Sequence, residues 1–115
     1  MTFKDKIISI GKELESNYKV LYPQECFKGL PKELASRAHL DRITNLNTDI
    51  VLIINEDKNG KTNYIGPNSF AEIAFGFYHN KKVYLLNDIY EPYKDELLGW
   101  GVIPLQGDLN KLKES

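Results

Sequence analysis

The sequence predicts an α/β domain built on a parallel sheet. Stretches with helical spacing alternate along the chain with short apolar runs, which is the pattern of strands joined by crossover helices. The run Ile50-Val51-Leu52-Ile53-Ile54 is apolar on both faces, as expected of a parallel strand covered by helices on both sides. Polar stretches rich in Asn, Asp and Gly follow the apolar runs, where α/β sheets present their ligand-binding ends. With 115 residues, 42% of them hydrophobic, the chain suits one domain over 1–115 with one core.

Taken in order, Thr2 can cap a helix whose apolar positions Phe3, Ile7, Ile10 and Leu14 keep helical spacing, with Asp5 completing a capping-box-like pattern. Tyr18-Lys19-Val20-Leu21-Tyr22 is short, β-rich and stopped by Pro23, which predicts an edge strand. Residues 24–31 read as loop. A second helix runs from about Lys32 to Asn45, its weaker apolar pattern suiting a helix that is partly exposed or borders a site. The 50–54 strand follows, then a polar loop from Asn55 to Asn63 that is too long for a tight connection. In the next helix Phe70, Ile73, Ala74, Phe77 and Tyr78 form an apolar stripe, and His79-Asn80 ends it. Val83 to Leu86 is a buried strand. Pro92 opens a short helix to about Leu98, Gly99-Trp100-Gly101 breaks it, Val102 to Leu105 forms the last strand, and Asp108 caps a charged terminal helix. The order αβαβαβαβα implies right-handed crossovers with helices on both faces of the sheet.

Composition removes several function classes. Fifteen basic residues against 16 acidic ones leave a formal net charge of −1, with no basic footprint for nucleic acid or an anionic membrane. The longest aliphatic run falls far short of the ~20 apolar residues of a membrane span, and the N-terminus lacks a signal-peptide core. A single cysteine, Cys26, cannot form an internal disulfide, and no Cys/His spacing suits zinc. A cytoplasmic protein without metal or cofactor is expected.

Chemistry centres on the stretch from Tyr64 to His79. The turn Gly66-Pro67-Asn68-Ser69 would present backbone N–H groups at a helix N-terminus, where the dipole favours an anion. Glu72 reads as a first-turn residue in that field, off the apolar stripe, with Gly76 one turn later offering no side chain to cover it. Such a carboxylate suits a nucleophile. Ser69-x-x-Glu72 also spells a capping box, with Glu72 returning to the Ser69 backbone. His39 and His79 suit surface or helix-end roles, and Asp49, Glu56 and Asp57 lack metal-loop spacing. The seven tyrosines are dispersed and read as core and rim residues rather than a stacking platform.

Asp49 to Asn55, the polar loop, Gly66-Pro-Asn-Ser-Phe-Ala-Glu72-Ile-Ala-Phe-Gly76 and Lys81 to Leu86 resemble the nucleoside 2-deoxyribosyltransferase-like proteins. The resemblance spans roughly residues 3–108 in element order, with its distinctive content between Asp49 and Leu86. It implies a Rossmann-like or flavodoxin-like, doubly wound, three-layer α/β/α domain. It also implies transfer or hydrolysis of the N-glycosidic bond of a nucleoside or deoxynucleotide, with Glu72 as nucleophile. On the same ground Gly66, Asn68 and Ser69 match the turn that contacts the sugar or a 5′-phosphate. Asn55 and Asp57 occupy the strand-end and loop region that holds substrate. Homo-oligomers, commonly dimers, are the family's habit.

The chain departs from that pattern at its start. Family members begin with a strand and a Gly-Ser-type loop, whereas this sequence begins at the helix, so the first strand is expected to be missing. In a flavodoxin-like order that strand is the central one, beside the ligand crevice. A shortened chain, a strand supplied by another chain and a degenerate, non-catalytic member are the three readings. A nucleotide-binding or interaction module that retains the fold without catalysis therefore stands beside the enzyme.

Overall fold

The computed structural model describes residues 3–15, 32–46 and 48–113. The chain divides into two units, Met1–Arg42 and Ile43–Ser115. The expected Thr2 cap, the strand at Tyr18 to Tyr22, the loop at 24–31 and Cys26 all lie outside the described residues, as does the side chain of His39.

The first unit carries helix α1, Phe3–Leu14, and most of helix α2, Lys32–Thr44. In α1 the expected positions Ile7, Ile10 and Leu14 are buried, at one-turn and two-turn spacing. Asp5 sits in its first turn and Lys12 in its last, each favourably placed in the field of the helix. Helix α2 shows the exposure its weak pattern predicts, with Glu33, Leu34, Arg37 and Asp41 open to solvent. Glu33 and Arg37 approach to 4.0 Å across one turn, an exposed pair of small energetic weight.

The second unit is a three-stranded parallel sheet with helices between its strands. Strands β1, Ile50–Ile53, β2, Lys82–Leu85, and β3, Ile103–Pro104, lie in the order β1-β2-β3. Val51 pairs with Val83 and Ile53 with Leu85, while Tyr84 pairs with Ile103. Backbone bonds carry the ladder past the strand ends, from the Leu86 N–H to the Ile53 carbonyl at 2.8 Å and from the Leu105 N–H to the Leu85 carbonyl at 2.8 Å. Pro104 donates nothing, which suits a strand with one neighbour in this sheet.

Helix α3, Pro67–Tyr78, joins β1 to β2. Its buried face differs from the predicted stripe. Ile73 and Gly76 are buried, whereas Phe77 is 43% and Tyr78 79% exposed. Gly76 explains the rotation: a Cβ there would lie 3.0 Å from Val83 Cγ2 and 3.3 Å from Val51 Cγ2. The helix therefore rests its glycine directly on a cross-strand valine pair, and period-2 alternation puts Ile53 and Leu85, both buried, on the same face. Gly76 is a packing position, not an opening beside Glu72.

Both long connections close with the same device. After α3, the Asn80 N–H bonds the Phe77 carbonyl at 3.1 Å and the Lys81 N–H the Gly76 carbonyl at 2.8 Å, with Asn80 at φ 61°. A 3-10 turn, Glu91–Tyr93, leads into helix α4, Lys94–Gly99, whose end repeats the motif. There the Gly101 N–H meets the Leu98 carbonyl and the Val102 N–H the Leu97 carbonyl, with Gly101 at φ 73°. Buried Leu97 and Val102 supply the apolar contact that accompanies such a cap. Taking the Val102 N–H for the cap shortens the expected last strand to Ile103–Pro104. Helix α5, Asn110–Lys113, starts as expected from Asp108, whose carboxylate accepts the Asn110 N–H at 2.9 Å.

Gly76→Val inserts three carbons where contact is already tight, so unfolding in urea should show a loss of about 1–3 kcal/mol, the range for overpacked cores. Unchanged or raised stability would contradict this seating of α3.

Candidate functional site

The carboxyl ends of β1 and β2 are tied by asparagines. Asn55, just past β1, is 0% exposed. Its Nδ2 donates to the Asp88 carbonyl at 2.7 Å and to the Asn63 carbonyl at 3.4 Å. Its Oδ1 accepts the Asn87 N–H at 2.9 Å, and its own backbone carbonyl accepts Asn87 Nδ2 at 2.8 Å. Every polar group of the side chain is thus engaged within the fold. Asn87 extends the tie to the third strand, because its carbonyl accepts the Gln106 N–H at 3.2 Å.

Between Asn55 and α3 the polar loop is ordered by a hairpin. Lys58 and Lys61 exchange two backbone bonds of 2.9 Å around Asn59-Gly60, whose φ angles are 51° and 79°. Two consecutive positive φ values are the mark of the two-residue turn that Asn-Gly favours. Asp57 sits at the hairpin base, its Oδ1 accepting the Asn63 N–H at 2.9 Å, and the Tyr64 N–H meets the Glu56 carbonyl at 3.1 Å. The connection from β1 to α3 is long, as expected, and Asn-Gly folds its middle back on itself.

Helix α3 begins earlier than Ser69-x-x-Glu72 suggests. Gly66 is its N-cap, at φ −76° and ψ 172°, with Pro67 next and no side-chain capping bond. Pro67 sets this start, since its fixed φ suits the first helical position and its missing N–H is not needed there. Ser69 is consequently third in the helix and cannot act as N-cap. Glu72 lies six positions past Gly66, in the second turn, outside the reach of the terminal dipole. Both the capping-box and the first-turn readings of Glu72 are corrected. The N–H groups of Gly66, Asn68 and Ser69 have no intrahelical acceptor by helix geometry.

The structure brings Gly66, Asn68 and Ser69 together at the start of α3, with Asn68 exposed and Ser69 half-buried. Glu72 is half-buried one turn nearer the helix start than Gly76. Asn55 is buried within the fold's own hydrogen bonds, whereas exposed Asp57 accepts the Asn63 N–H through one oxygen. His79 is at the far end of α3 as its exposed C-cap, stacked on Phe75 with centroids 6.4 Å apart. Among the described residues no group of three His, Cys, Asp or Glu side chains could hold a metal ion, and no helix is long and apolar enough to cross a membrane.

The sequence reading missed two features. Rings run in sequence from Tyr64 to Tyr90 at 5.5 Å, Tyr93 at 5.1 Å, Phe70 at 4.5 Å, Trp100 at 5.4 Å and Phe77 at 5.2 Å. Three dispersed tyrosines thus join one aromatic chain beside α3, each contact worth about 0.5–1.5 kcal/mol beyond area burial. The second feature is cationic: Lys58 Nζ lies 5.8 Å and Lys61 Nζ 5.2 Å from the Tyr64 ring centroid. A Cβ on Gly66 would meet the Tyr64 ring and hydroxyl at 3.4 Å, so this ring joins the hairpin to the helix start. The Asn59-Gly60 pair was the available signal for the hairpin; no local signal announces the ring chain.

Asn55→Ala should cost about 1–3 kcal/mol for each buried partner left unsatisfied, chiefly the Asn87 N–H and the Asp88 carbonyl. Asn55→Asp should cost at least as much, because it sets a carboxylate against two carbonyls in a buried position. Denaturant unfolding measures both, and wild-type stability in the aspartate variant would refute the clasp. No protein-family model, curated protein or solved structure matches the chain.

Proposed function

We propose that this chain is a flavodoxin-like, three-layer domain that acts on the N-glycosidic bond of a nucleoside or deoxynucleotide, with Glu72 as nucleophile. The observation that supports this best is the position of Glu72. It is half-buried on α3, one turn toward the carboxyl ends of the strands from the Gly76 contact with Val51 and Val83. Ligands of open parallel sheets bind outside those ends.

The chemistry follows from a carboxylate at that place. Glu72 attacks the anomeric carbon as the bond from that carbon to the base nitrogen breaks, and the electron pair leaves with the base, which takes up a proton. The product is a glycosyl ester on Glu72. Attack by water, or by the nitrogen of a second base, releases the sugar and restores the carboxylate. Asn68 and Ser69, at the exposed start of α3, contact the sugar side of the ligand, together with the Gly66 N–H. Asn55 and Asp57 act by positioning: one ties the strand ends and the other holds the hairpin. Assembly into dimers belongs to the same reading.

One observation favours a non-catalytic nucleotide-binding module instead. Glu72 lies beyond the first turn of α3, where the helix end no longer assists an ionised nucleophile. In that case nucleotides stabilise the protein without being consumed.

Incubation with 2′-deoxynucleosides and their 5′-monophosphates should release free base, measured chromatographically. Glu72→Ala should reduce the rate by about a thousandfold or more, the scale of losing a catalytic nucleophile. Equal turnover by both proteins overturns the assignment, and nucleotide-dependent thermal stabilisation without base release selects the binding module.

A further inference from the structure

We propose that Asn59 is a site of spontaneous modification: its side-chain amide is lost to attack by the Gly60 backbone nitrogen, and the isoaspartyl product unfastens the hairpin that leads into α3. The inference stands apart from the nucleoside reading of Glu72.

The reaction needs an asparagine whose following nitrogen is uncrowded and free to give up its proton. Asn59 is the only asparagine in the sequence followed by glycine. Both residues are exposed, and a Cβ built on Gly60 meets nothing within 4 Å, so no neighbour crowds the attacking nitrogen. Among the described residues no group accepts a hydrogen bond from the Gly60 N–H. Other asparagines are held differently. The nitrogen after Asn63 donates to the Glu56 carbonyl at 3.1 Å, the one after Asn80 to the Gly76 carbonyl at 2.8 Å and the one after Asn110 to the Asp108 carbonyl at 3.1 Å. Asn55 is fully buried with its amide engaged, and Asn68 lies within α3, followed by serine. Lys58 and Lys61 flank the Asn59-Gly60 pair in sequence, and nearby positive charge favours the deprotonated form of the attacking nitrogen.

The Gly60 nitrogen gives up its proton and bonds to Asn59 Cγ. The Cγ–Nδ2 bond breaks, and Nδ2 leaves with that proton as ammonia, closing a succinimide ring. Water then opens the ring at one of its two carbonyls. Addition at Cγ breaks the new bond, restores the original main chain and leaves an aspartate. Addition at the main-chain carbonyl carbon breaks its bond to the Gly60 nitrogen, so the chain continues through Cγ as an isoaspartate with one extra backbone carbon.

The closed turn restrains this reaction, because the Gly60 nitrogen must swing round to meet Cγ while φ angles of 51° and 79° hold both residues in the turn. The restraint is slight. Two bonds of 2.9 Å between Lys58 and Lys61 close the tip, and so short a hairpin is marginally stable and opens locally. The two products then differ in what they leave behind. Asp-Gly favours the same turn as Asn-Gly, so the aspartyl form keeps the hairpin. Isoaspartate lengthens the main chain between Lys58 and Lys61, and the paired bonds between them are lost.

The test is to incubate the full chain at mildly alkaline pH and follow it by peptide mapping. A protease that cuts after glutamate releases residues 57–72 in one piece, with Asn63 and Asn68 as controls beside Asn59. Asn59 should gain the mass of an amide-to-acid exchange in two chromatographically distinct forms, while Asn63 and Asn68 remain amides over the same period. Folded protein should react more slowly than the chain in denaturant, by about tenfold or less, the protection that a marginal hairpin gives. Gly60→Ala should slow conversion in denaturant, where folding plays no part, because its methyl group crowds the nitrogen. Amide hydrogen exchange at Lys58 and Lys61 should stay protected in Asn59→Asp and lose protection in the separated isoaspartyl fraction. The proposal is overturned if Asn59 stays an amide in the folded chain while it converts in denaturant, or if Asn63 or Asn68 converts as fast. An unchanged rate in Gly60→Ala, or equal protection in the aspartyl and isoaspartyl forms, overturns it as well.

Discussion

The carboxyl end of the sheet depends on one buried amide. Asn55 is fully inside the fold, and its two kinds of polar atom meet partners of opposite kind: carbonyls of Asp88 and Asn63 toward Nδ2, and the Asn87 N–H toward Oδ1. Those backbone partners orient the amide, since a flipped side chain would set donor against donor and acceptor against acceptor. An isosteric carboxylate lacks the donors, and leucine lacks every polar atom. The clasp therefore demands asparagine, and through it β1, β2 and the hairpin base are held in one arrangement. Asn87, by accepting the Gln106 N–H, passes the constraint to the segment after β3.

A second constraint seats α3. With glycine at position 76 the helix backbone lies against Val51 and Val83, closer than any side chain would permit. Helical periodicity then decides the rest of the face. Ile73 goes fully inside, Glu72 and Phe70 fall to either edge at half burial, and Phe75 and Tyr78 turn outward. Phe70 and Phe77 both stack on Trp100, and Phe70 also packs on Tyr93. The aromatic flank so formed continues through Tyr90 to Tyr64, beside the hairpin.

The parts of this arrangement that were legible in the sequence are those set by local pattern. The Ile50 run, the Val83 to Leu86 run, the ends of α3 and α4 and the Asp108 cap each owe their form to residues a few positions apart, and each is found close to where pattern puts it. The three-stranded parallel sheet follows from their alternation. What escaped depended on distant partners. Gly76 looks open until Val51 and Val83 stand beneath it, and Asn55 looks like a ligand group until Asn87 and Asp88 are brought to it. The start of α3 was a different kind of miss, a choice between two local signals. Ser69-x-x-Glu72 spells a cap, but Gly66-Pro67 spells an earlier one, and a proline with φ already set for a helix prevails over a side-chain cap worth about 1 kcal/mol.

Together the two constraints sort the polar residues of the β1 to α3 connection by what they can still do. Asn55 and Asp57 hold the backbone, Asn55 with every polar group of its side chain engaged and Asp57 through one carboxylate oxygen. Asn68, Ser69 and Glu72 lie along the first turns of α3 with side chains partly or fully exposed. Lys58 and Lys61 stand on the hairpin, their positions governed by a turn that only Asn-Gly or its equivalents form readily. Each ammonium group is attracted to the Tyr64 ring, and that attraction offsets part of the repulsion between two like charges placed opposite each other. In this chain the lysine pair, the ring beside it and the helix carrying Glu72 follow one another along the chain after β1. Tyr64 completes the continuity, because its ring lies against Gly66 and so joins the hairpin to the start of α3.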